Sequence, residues 1–331
     1  MSDKKYTVVF LSTAVLCLLG FMILTATVSK VGESYTNPVL AETVIINREQ
    51  PDNYKGVLGI GDPTVLSHQG KYYLYPTGDN HGYDVYVSDD LVNWQKGPRI
   101  FQTVEPGVWA PDVFYNETDN LFYLYYTVNG HVGVAIADRP DAVFKDLGTL
   151  IKGAIDGHMF VDDDGQYYLY YVEYPGFRIH VQPMASPVQR KGSSIRLIQA
   201  TEAWEKKQAA LTEAPWMLKH QGIYYLLYSA SGADTQDYAI GYATAESPLG
   251  PFTKYKSNPI IKKGDNIFGP GHCSVTRTPN GQLWMVYHQQ KNWKRGWNRI
   301  ICIDPLWFDD KGNLHGEATR GEARPAPKVA G

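Results

Sequence analysis

The sequence predicts an all-β protein, a single five-bladed β-propeller that follows an N-terminal hydrophobic segment. Five aromatic, β-prone runs recur after residue 60, and a polar, turn-forming segment precedes each of them, which is typical of β-hairpins. The runs begin at Tyr72, Phe122, Tyr167, Tyr224 and Trp284, so that successive runs are 50, 45, 57 and 60 residues apart. Spacings of this size fit four-stranded propeller blades.

Other folds fit the pattern less well. A two-sheet sandwich also contains many short strands, but it does not predict five copies of one ordered unit. Alternating strand and helix units, which a Rossmann fold or an α/β barrel requires, are absent, and we predict a short helix only at residues 203–210. Two runs, at residues 88–94 and 245–252, each close a unit with a turn and an aromatic residue, for which we predict packing between blades.

An uncharged segment at residues 6–29 follows Lys4 and Lys5 and precedes Lys30. We predict either a cleaved signal peptide or a retained membrane anchor, because about 20 apolar residues suffice to span a bilayer. Either alternative exports the remainder, which would be secreted, periplasmic or anchored to the outer face of a membrane. The predicted organisation is this segment at 1–29, a spacer at 30–53, the propeller at 54–318 and a C-terminal tail at 319–331.

Composition and charge exclude several classes of protein. The chain of 331 residues has 13% aromatic and 20% charged residues, which rules out a disordered chain or a coiled coil. A formal net charge of −3, without a dense block of Lys or Arg, argues against a nucleic-acid partner. Three cysteines cannot build a disulfide framework, and one of them, Cys17, lies in the N-terminal segment.

The repeat brings polar residues from distant parts of the chain to one place. The first strands of successive units carry, 10 to 12 residues before the aromatic run, Asp62, Asp112, Asp156, Glu213 and His272. The first strand of a blade is the innermost, so we predict a ring of these residues around the central axis. Crowded carboxylates raise the pKa of at least one of them, which provides an acid and a base side by side. Glycoside hydrolysis needs such a pair.

Each of these residues also has a structural interpretation. Asp62 precedes a proline, and aspartate in that context is a frequent turn former. Asp112 is open between a structural and a substrate-binding role, and His272 between a structural role and a place in the site. For Glu213, which precedes Ala214, Pro215 and Trp216, function is favoured, because burying a charged residue among apolar ones is costly.

The motifs at these positions match a known family. They are Gly-Asp-Pro-Thr-Val at 61–65, Trp-Ala-Pro-Asp at 109–112, Asp-Asp-Asp-Gly at 162–165 and Glu-Ala-Pro at 213–215. On these motifs the chain resembles glycoside hydrolase family 43 from about residue 55 to residue 318. The resemblance implies a five-bladed propeller enzyme that acts on arabinofuranosides and xylosides with inversion.

The resemblance also implies roles for single residues. Asp62 would be the general base, Glu213 the general acid, and Asp156 the residue that orients the acid and tunes its pKa. Substrate binding would fall to Trp109, Asp112 and Arg299, with Arg299 held near Asp156. His272 would help to hold a structural Ca²⁺ on the propeller axis through water, and no cofactor would be required for the chemistry.

Two departures from the family pattern are Gly157, where proline is common, and Ala214, where glycine is common. The chain also ends soon after the fifth blade, whereas many xylosidases of the family append a β-sandwich, and this favours arabinofuranosides. We therefore expect an exported, inverting α-L-arabinofuranosidase or arabinanase that acts on oligosaccharides or polysaccharides. The alternatives are a β-xylosidase of the same family and a non-catalytic carbohydrate-binding propeller.

Overall fold

The five aromatic runs each form the second strand of an antiparallel sheet, and the five sheets are the blades of a β-propeller. The computed structural model describes residues 32–46 and 56–329. The first strand of each blade contacts the first strand of the next, and that of blade 5 contacts that of blade 1. The innermost strands therefore close a ring around the axis, and the predicted fold class is confirmed.

Each blade is one continuous stretch of chain with its strands in order from the axis outward. Blade 1 consists of Gly61–His68, Lys71–Thr77, Gly82–Ser88 and Gln95–Gln102, and blade 2 of Val108–Asn116, Leu121–Val128, His131–Ala137 and Lys145–Lys152. Blade 3 consists of Ala154–Val161, Tyr167–Glu173 and Arg178–Ser186, with two short outer strands, Gln189–Arg190 and Ile195–Ile198. Blade 4 consists of Thr212–His220, Ile223–Ala230, Ala239–Ala245 and Thr253–Lys254, and blade 5 of Phe268–Arg277, Leu283–Gln290, Arg299–Phe308 and Leu314–Gly316.

Aromatic residues of the second strands fill the interfaces between blades. Buried apolar side chains form five clusters, one in each interface. Equivalent tyrosines of blades 1 to 3 donate their buried hydroxyls to proline carbonyls of the next blade, at 2.7 to 2.8 Å: Tyr75 to Pro140, Tyr125 to Pro187 and Tyr170 to Pro248. Trp94 and Phe252, from the two runs predicted to pack between blades, lie against two of these clusters.

The segments before and after the blades also form strands. Ser34–Thr36 pairs with Ala323–Pro325, and Thr43–Ile46 pairs with Gly56–Gly59. In blade 5 the buried carboxylate of Asp304 accepts hydrogen bonds of 2.7 to 3.0 Å from Tyr35, Asn37 and Thr319. The segments predicted as a spacer at 30–53 and a tail at 319–331 thus contain strands, and the Asp304 carboxylate holds Tyr35, Asn37 and Thr319 against blade 5.

Two other predictions concern helices. The helix predicted at residues 203–210 is a single 3₁₀ turn, Ala203–Lys206. The uncharged segment at 6–29 lies outside the described residues. Within residues 32–46 and 56–329, no helix has the length and apolar character needed to cross a membrane.

Candidate active site

One residue near the start of each innermost strand has a left-handed backbone. These residues are Asp62, Ala110, Asp156, Ala214 and His272, with φ angles of 47°, 45°, 55°, 54° and 50°. At each of them the pairing with the second strand shifts register, which marks a β-bulge. Such conformations cost on the order of 1–3 kcal/mol for a non-glycine residue and concentrate at functional sites. These five bulge residues are the equivalent positions of the repeat.

The bulges correct the alignment predicted for the five repeats. The equivalent residues in blades 2 and 4 are Ala110 and Ala214, not Asp112 and Glu213. The prediction was wrong by two residues in blade 2 and by one in blade 4, because the distance from bulge to aromatic run varies from 10 to 12 residues among the blades. A bulge inserts a residue without a visible mark in the hydrophobic pattern.

The backbone N–H of every bulge residue donates to a side chain of the preceding blade. Four of these acceptors lie on a second strand: Thr77 for Ala110, Thr127 for Asp156, Ser229 for His272 and His288 for Asp62, at 2.8 to 3.1 Å. The fifth is the carboxylate of Asp156, whose Oδ2 accepts from Ala214 N at 3.0 Å. Asp156 therefore fixes the backbone of the residue that follows Glu213.

A pocket with a volume of about 210 Å³ opens over the ring of bulges. It is lined by three carboxyl side chains, Asp62, Asp156 and Glu213, together with His272 and Arg299. Its walls include the aromatic side chains of Trp109, Tyr174, Phe177 and Trp297. The structure thus brings together the three carboxyl residues that the sequence predicted, from blades 1, 3 and 4.

Asp62 is surrounded by nitrogen atoms. Its Oδ1 lies 2.7 Å from Arg299 Nη1, 3.2 Å from His272 Nδ1 and 3.4 Å from His288 Nδ1. Burial alone would raise the pKa of Asp62, but the Arg299 guanidinium and His272 outweigh it and hold that pKa well below the usual range. His288 stays neutral, because burial and the nearby Arg299 lower its pKa. Asp62 is therefore an ionised carboxylate.

The predicted place of Arg299 is wrong. Its guanidinium bonds Asp62 and not Asp156. The approach depends on Gly61, where a Cβ atom would lie 2.2 Å from Arg299 Cζ. The sequence carried no signal for this pairing, because the two residues are 237 positions apart and only the closing of blade 5 against blade 1 brings them together.

Glu213 has the opposite environment. It is 7% exposed, and burial together with the neighbouring Asp156 raises its pKa to about 8. Burial, with a contribution from Asp62, also raises the pKa of Asp156. The hydrogen bond that Asp156 accepts from Ala214 N opposes part of this rise. Near neutral pH the pocket therefore holds a protonated Glu213 and an ionised Asp62, an acid and a base in one cavity.

Asp112 does not line the pocket. It lies deeper on the axis, where its Oδ2 accepts from Met159 N at 2.9 Å and its Oδ1 accepts from Thr64 Oγ1 at 3.4 Å. These bonds join blades 1, 2 and 3, so the structural interpretation of Asp112 holds and the substrate-binding assignment is wrong. Trp109 does line the pocket, with its Nε1 donating to Asn80 Oδ1 at 2.8 Å.

Several residues of the site escaped sequence analysis. His288, which accepts from the backbone N–H of Asp62, ends the fifth aromatic run, and Thr77, Thr127 and Ser229 lie at or next to the last residue of the second strands of other blades. A polar residue that closes an apolar strand was the available signal. Tyr174, Phe177 and Trp297 line the pocket from loops between the second and third strands, whose sequences differ from blade to blade.

His272 was predicted to help hold Ca²⁺ through water. Its Nδ1 faces Asp62, and the surrounding carboxylates raise its pKa against the opposing effect of burial. Within the described ranges, no three side chains of the His, Cys, Asp or Glu type come together as a metal-ligand set. A calcium ion beside His272 would take most of its ligands from water and backbone carbonyls, and the calcium site stays a prediction.

A propeller whose axial pocket pairs a carboxylic acid with a carboxylate has the groups that hydrolysis of a glycosidic bond requires. Comparison with known proteins supports this class: residues 59–314 match the family described as glycosyl hydrolases family 43. The chain belongs to this family, which confirms the predicted resemblance.

Individual relatives differ in what their names describe. The chain is 30% identical over 287 residues to a "Beta-D-galactofuranosidase xynD" of Aspergillus niger, a match that covers 76% of this chain and 81% of the relative. It is 26% identical over 277 residues to an extracellular exo-α-(1→5)-L-arabinofuranosidase of Cellvibrio japonicus, covering 69% and 78%. A thermostable family-43 glycoside hydrolase of known structure has 36% identity and a TM-score of 0.78, covering 89% of this chain and all of that one.

Proposed function

We propose that this glycoside hydrolase cleaves α-L-arabinofuranosidic bonds of plant polysaccharides, such as arabinan or arabinoxylan side chains, with inversion. The observation that carries the proposal is the pair of carboxyl groups in one pocket whose pKa values are shifted in opposite directions. Arg299 keeps Asp62 ionised, and burial together with Asp156 raises the pKa of Glu213 to about 8.

The chemistry follows from these protonation states. Glu213 donates its proton to the glycosidic oxygen as the bond to the anomeric carbon breaks. Asp62 accepts a proton from a water molecule, whose oxygen bonds to the anomeric carbon from the opposite face. Asp156 contributes its negative charge, which favours the protonated form of Glu213, and its bond to Ala214 N, which orients the strand.

A furanose ring is the favoured substrate feature. Two relatives that differ in the sugar they are named for, galactose and arabinose, share the furanoside form. β-D-Galactofuranose has the ring configuration of α-L-arabinofuranose and differs by one additional carbon in the chain outside the ring. A pocket that recognises the ring hydroxyls would accept both, and the room around the exocyclic carbon would decide between them.

A kinetic comparison tests this proposal. The full chain is assayed on nitrophenyl α-L-arabinofuranoside, β-D-galactofuranoside and β-D-xyloside and on linear arabinan, with Asp62→Asn as the inactive control. We expect the highest kcat/KM on the arabinofuranoside, and a proton NMR time course should show arabinose released with inverted anomeric configuration. A tenfold preference for the xyloside would favour the β-xylosidase alternative, and inactivity on every substrate with measurable sugar binding would favour the non-catalytic alternative.

We also propose export, which rests on the uncharged segment at residues 6–29. The full chain is expressed in a bacterial host, and N-terminal sequencing of the product distinguishes a cleaved signal peptide from a retained membrane anchor. A new N-terminus near residue 30 would indicate a cleaved signal peptide, and an intact N-terminus in the membrane fraction would indicate an anchor. Recovery of the intact chain in the cytosol would contradict export.

A further inference from the structure

The loop between the second and third strands of blade 3 contains a strained aromatic residue. Phe177 lines the pocket with a φ angle of 49°. For a bulky side chain this left-handed conformation is an outlier that glycine or asparagine would adopt more readily. Strain of this kind persists only where the surrounding structure determines it, and it concentrates at ligand sites.

Hydrogen bonds on both sides hold Phe177 in place. Its N–H donates to Glu173 O at 2.7 Å, which closes the loop. Its carbonyl accepts from both the N–H and the hydroxyl of Thr212, each at 3.2 Å. An ion pair of 2.8 Å between Glu173 and Arg178 spans the base of the loop. Thr212 immediately precedes Glu213, so the loop is bonded to the strand that carries the acid.

The ring of Phe177 continues an aromatic wall. It meets the ring of Tyr174 edge to face at 5.6 Å, and Tyr174 meets Trp109 edge to face at 6.5 Å. Tyr174 is in turn packed against Gly130, where a Cβ atom would lie 2.9 Å from the ring. Phe177 remains partly exposed to the pocket. An aromatic side chain that is held in place and partly exposed to the cavity suits a sugar ring, which presents a patch of C–H groups to aromatic surfaces.

We propose that Phe177 is the platform for the sugar of the leaving group and so determines which leaving-group sugars the enzyme accepts. The inference rests on the proposed function, in which Glu213 protonates the oxygen between the cleaved sugar and the leaving group. Residues next to the acid therefore face the leaving group, whereas Asp62 attacks from the opposite side through water. Phe177 is bonded to Thr212 on the strand of Glu213 in blade 4, and Asp62 belongs to blade 1.

Two substrates separate this role from a general structural one. Arabinobiose has a sugar as its leaving group, and α-L-arabinofuranosyl fluoride has a leaving group too small to reach Phe177. The main variant is Phe177→Asn, because asparagine tolerates the left-handed backbone and keeps the loop. Phe177→Gly is the second variant, since glycine adopts this conformation without strain. Phe177→Tyr keeps the aromatic face and serves as the conservative control.

We expect Phe177→Asn and Phe177→Gly to lose at least tenfold in kcat/KM on arabinobiose, chiefly through KM, and to stay within twofold of wild type on the fluoride. Phe177→Tyr should stay within threefold on both. An equal loss on both substrates, or no loss on arabinobiose, would overturn the inference while leaving hydrolysis intact. Inactivity of the wild-type enzyme on both substrates would instead overturn the proposed function, and the inference with it.

Discussion

Arg299 lies with its Nη1 2.7 Å from Oδ1 of Asp62, and this contact joins the last blade to the first at the catalytic pocket. Arg299 is 4% exposed and Asp62 is 7% exposed, so solvent screens their attraction very little. The proposed base is therefore kept as an anion by a buried cation, and the proposed acid is kept neutral by burial and by a second carboxyl group.

Replacing Arg299 by methionine should act on the acidic side of the pH profile. Without the guanidinium the pKa of Asp62 rises, because burial then acts with less opposition. Asp62 would become protonated as the pH falls through this higher value, so the acidic limb of kcat/KM should move to higher pH and the basic limb should stay near pH 8. Arg139→Met, at an exposed arginine, is the control. A shift of the basic limb alone would contradict this role and indicate that Arg299 acts on Asp156, as the sequence analysis predicted.

Asp156 should have two separable effects. Asp156→Asn removes the charge that raises the pKa of Glu213, so the basic limb should move to lower pH, while an amide oxygen still accepts from Ala214 N. Asp156→Ala also leaves the buried N–H of Ala214 unpaired, so its free energy of unfolding should be about 1–3 kcal/mol lower than that of Asp156→Asn. Urea unfolding and pH profiles of both variants measure this, and Thr77→Val removes the equivalent acceptor for Ala110 as a stability control. Basic limbs that stay at the wild-type pH in both variants would contradict the electrostatic role.

Gly61→Ala should reproduce part of the shift of the acidic limb expected for Arg299→Met, although it removes no charged group. The added Cβ would lie 2.2 Å from Arg299 Cζ, so the guanidinium must move away from Asp62. The acidic limb should therefore shift to higher pH and kcat/KM should fall. Gly264→Ala, whose added Cβ would lie 3.6 Å from its nearest neighbour, is the matched control. An unchanged profile for Gly61→Ala would show that Arg299 can relocate without cost to the base.

The fold was accessible from the sequence because every blade repeats one aromatic strand, and tyrosines of these strands, such as Tyr75 and Tyr125, bond the next blade. The three pocket carboxyl residues were accessible for the same reason. The role of Asp112 was not, because a bulge at Ala110 displaces it from the pocket. The pairing of Arg299 with Asp62 could not be predicted either. It depends on the closing of blade 5 against blade 1 and on the absence of a side chain at Gly61, and neither appears in a local sequence pattern.

Asp62→Asn should be inactive on every substrate, whatever its leaving group. The amide cannot accept a proton from the attacking water, and loss of a general base costs about 10²–10⁴-fold in rate. The measurement is kcat on nitrophenyl arabinofuranoside and on arabinan, with Asp163→Asn in an exposed turn as the control. Activity within tenfold of wild type would place the base elsewhere in the pocket.

The assignment of Glu213 as the general acid is the central claim, and the most direct measurement is the rate of Glu213→Gln on substrates that differ only in the leaving group. A good leaving group departs without protonation, so kcat/KM on dinitrophenyl arabinofuranoside should stay within about tenfold of wild type. On arabinobiose, whose leaving oxygen is a strong base, the loss should be about 10²–10⁴-fold. Glu246→Gln, at an exposed position, controls for the substitution itself. Equal losses on the two substrates would contradict the account, because Glu213 would then not supply the proton.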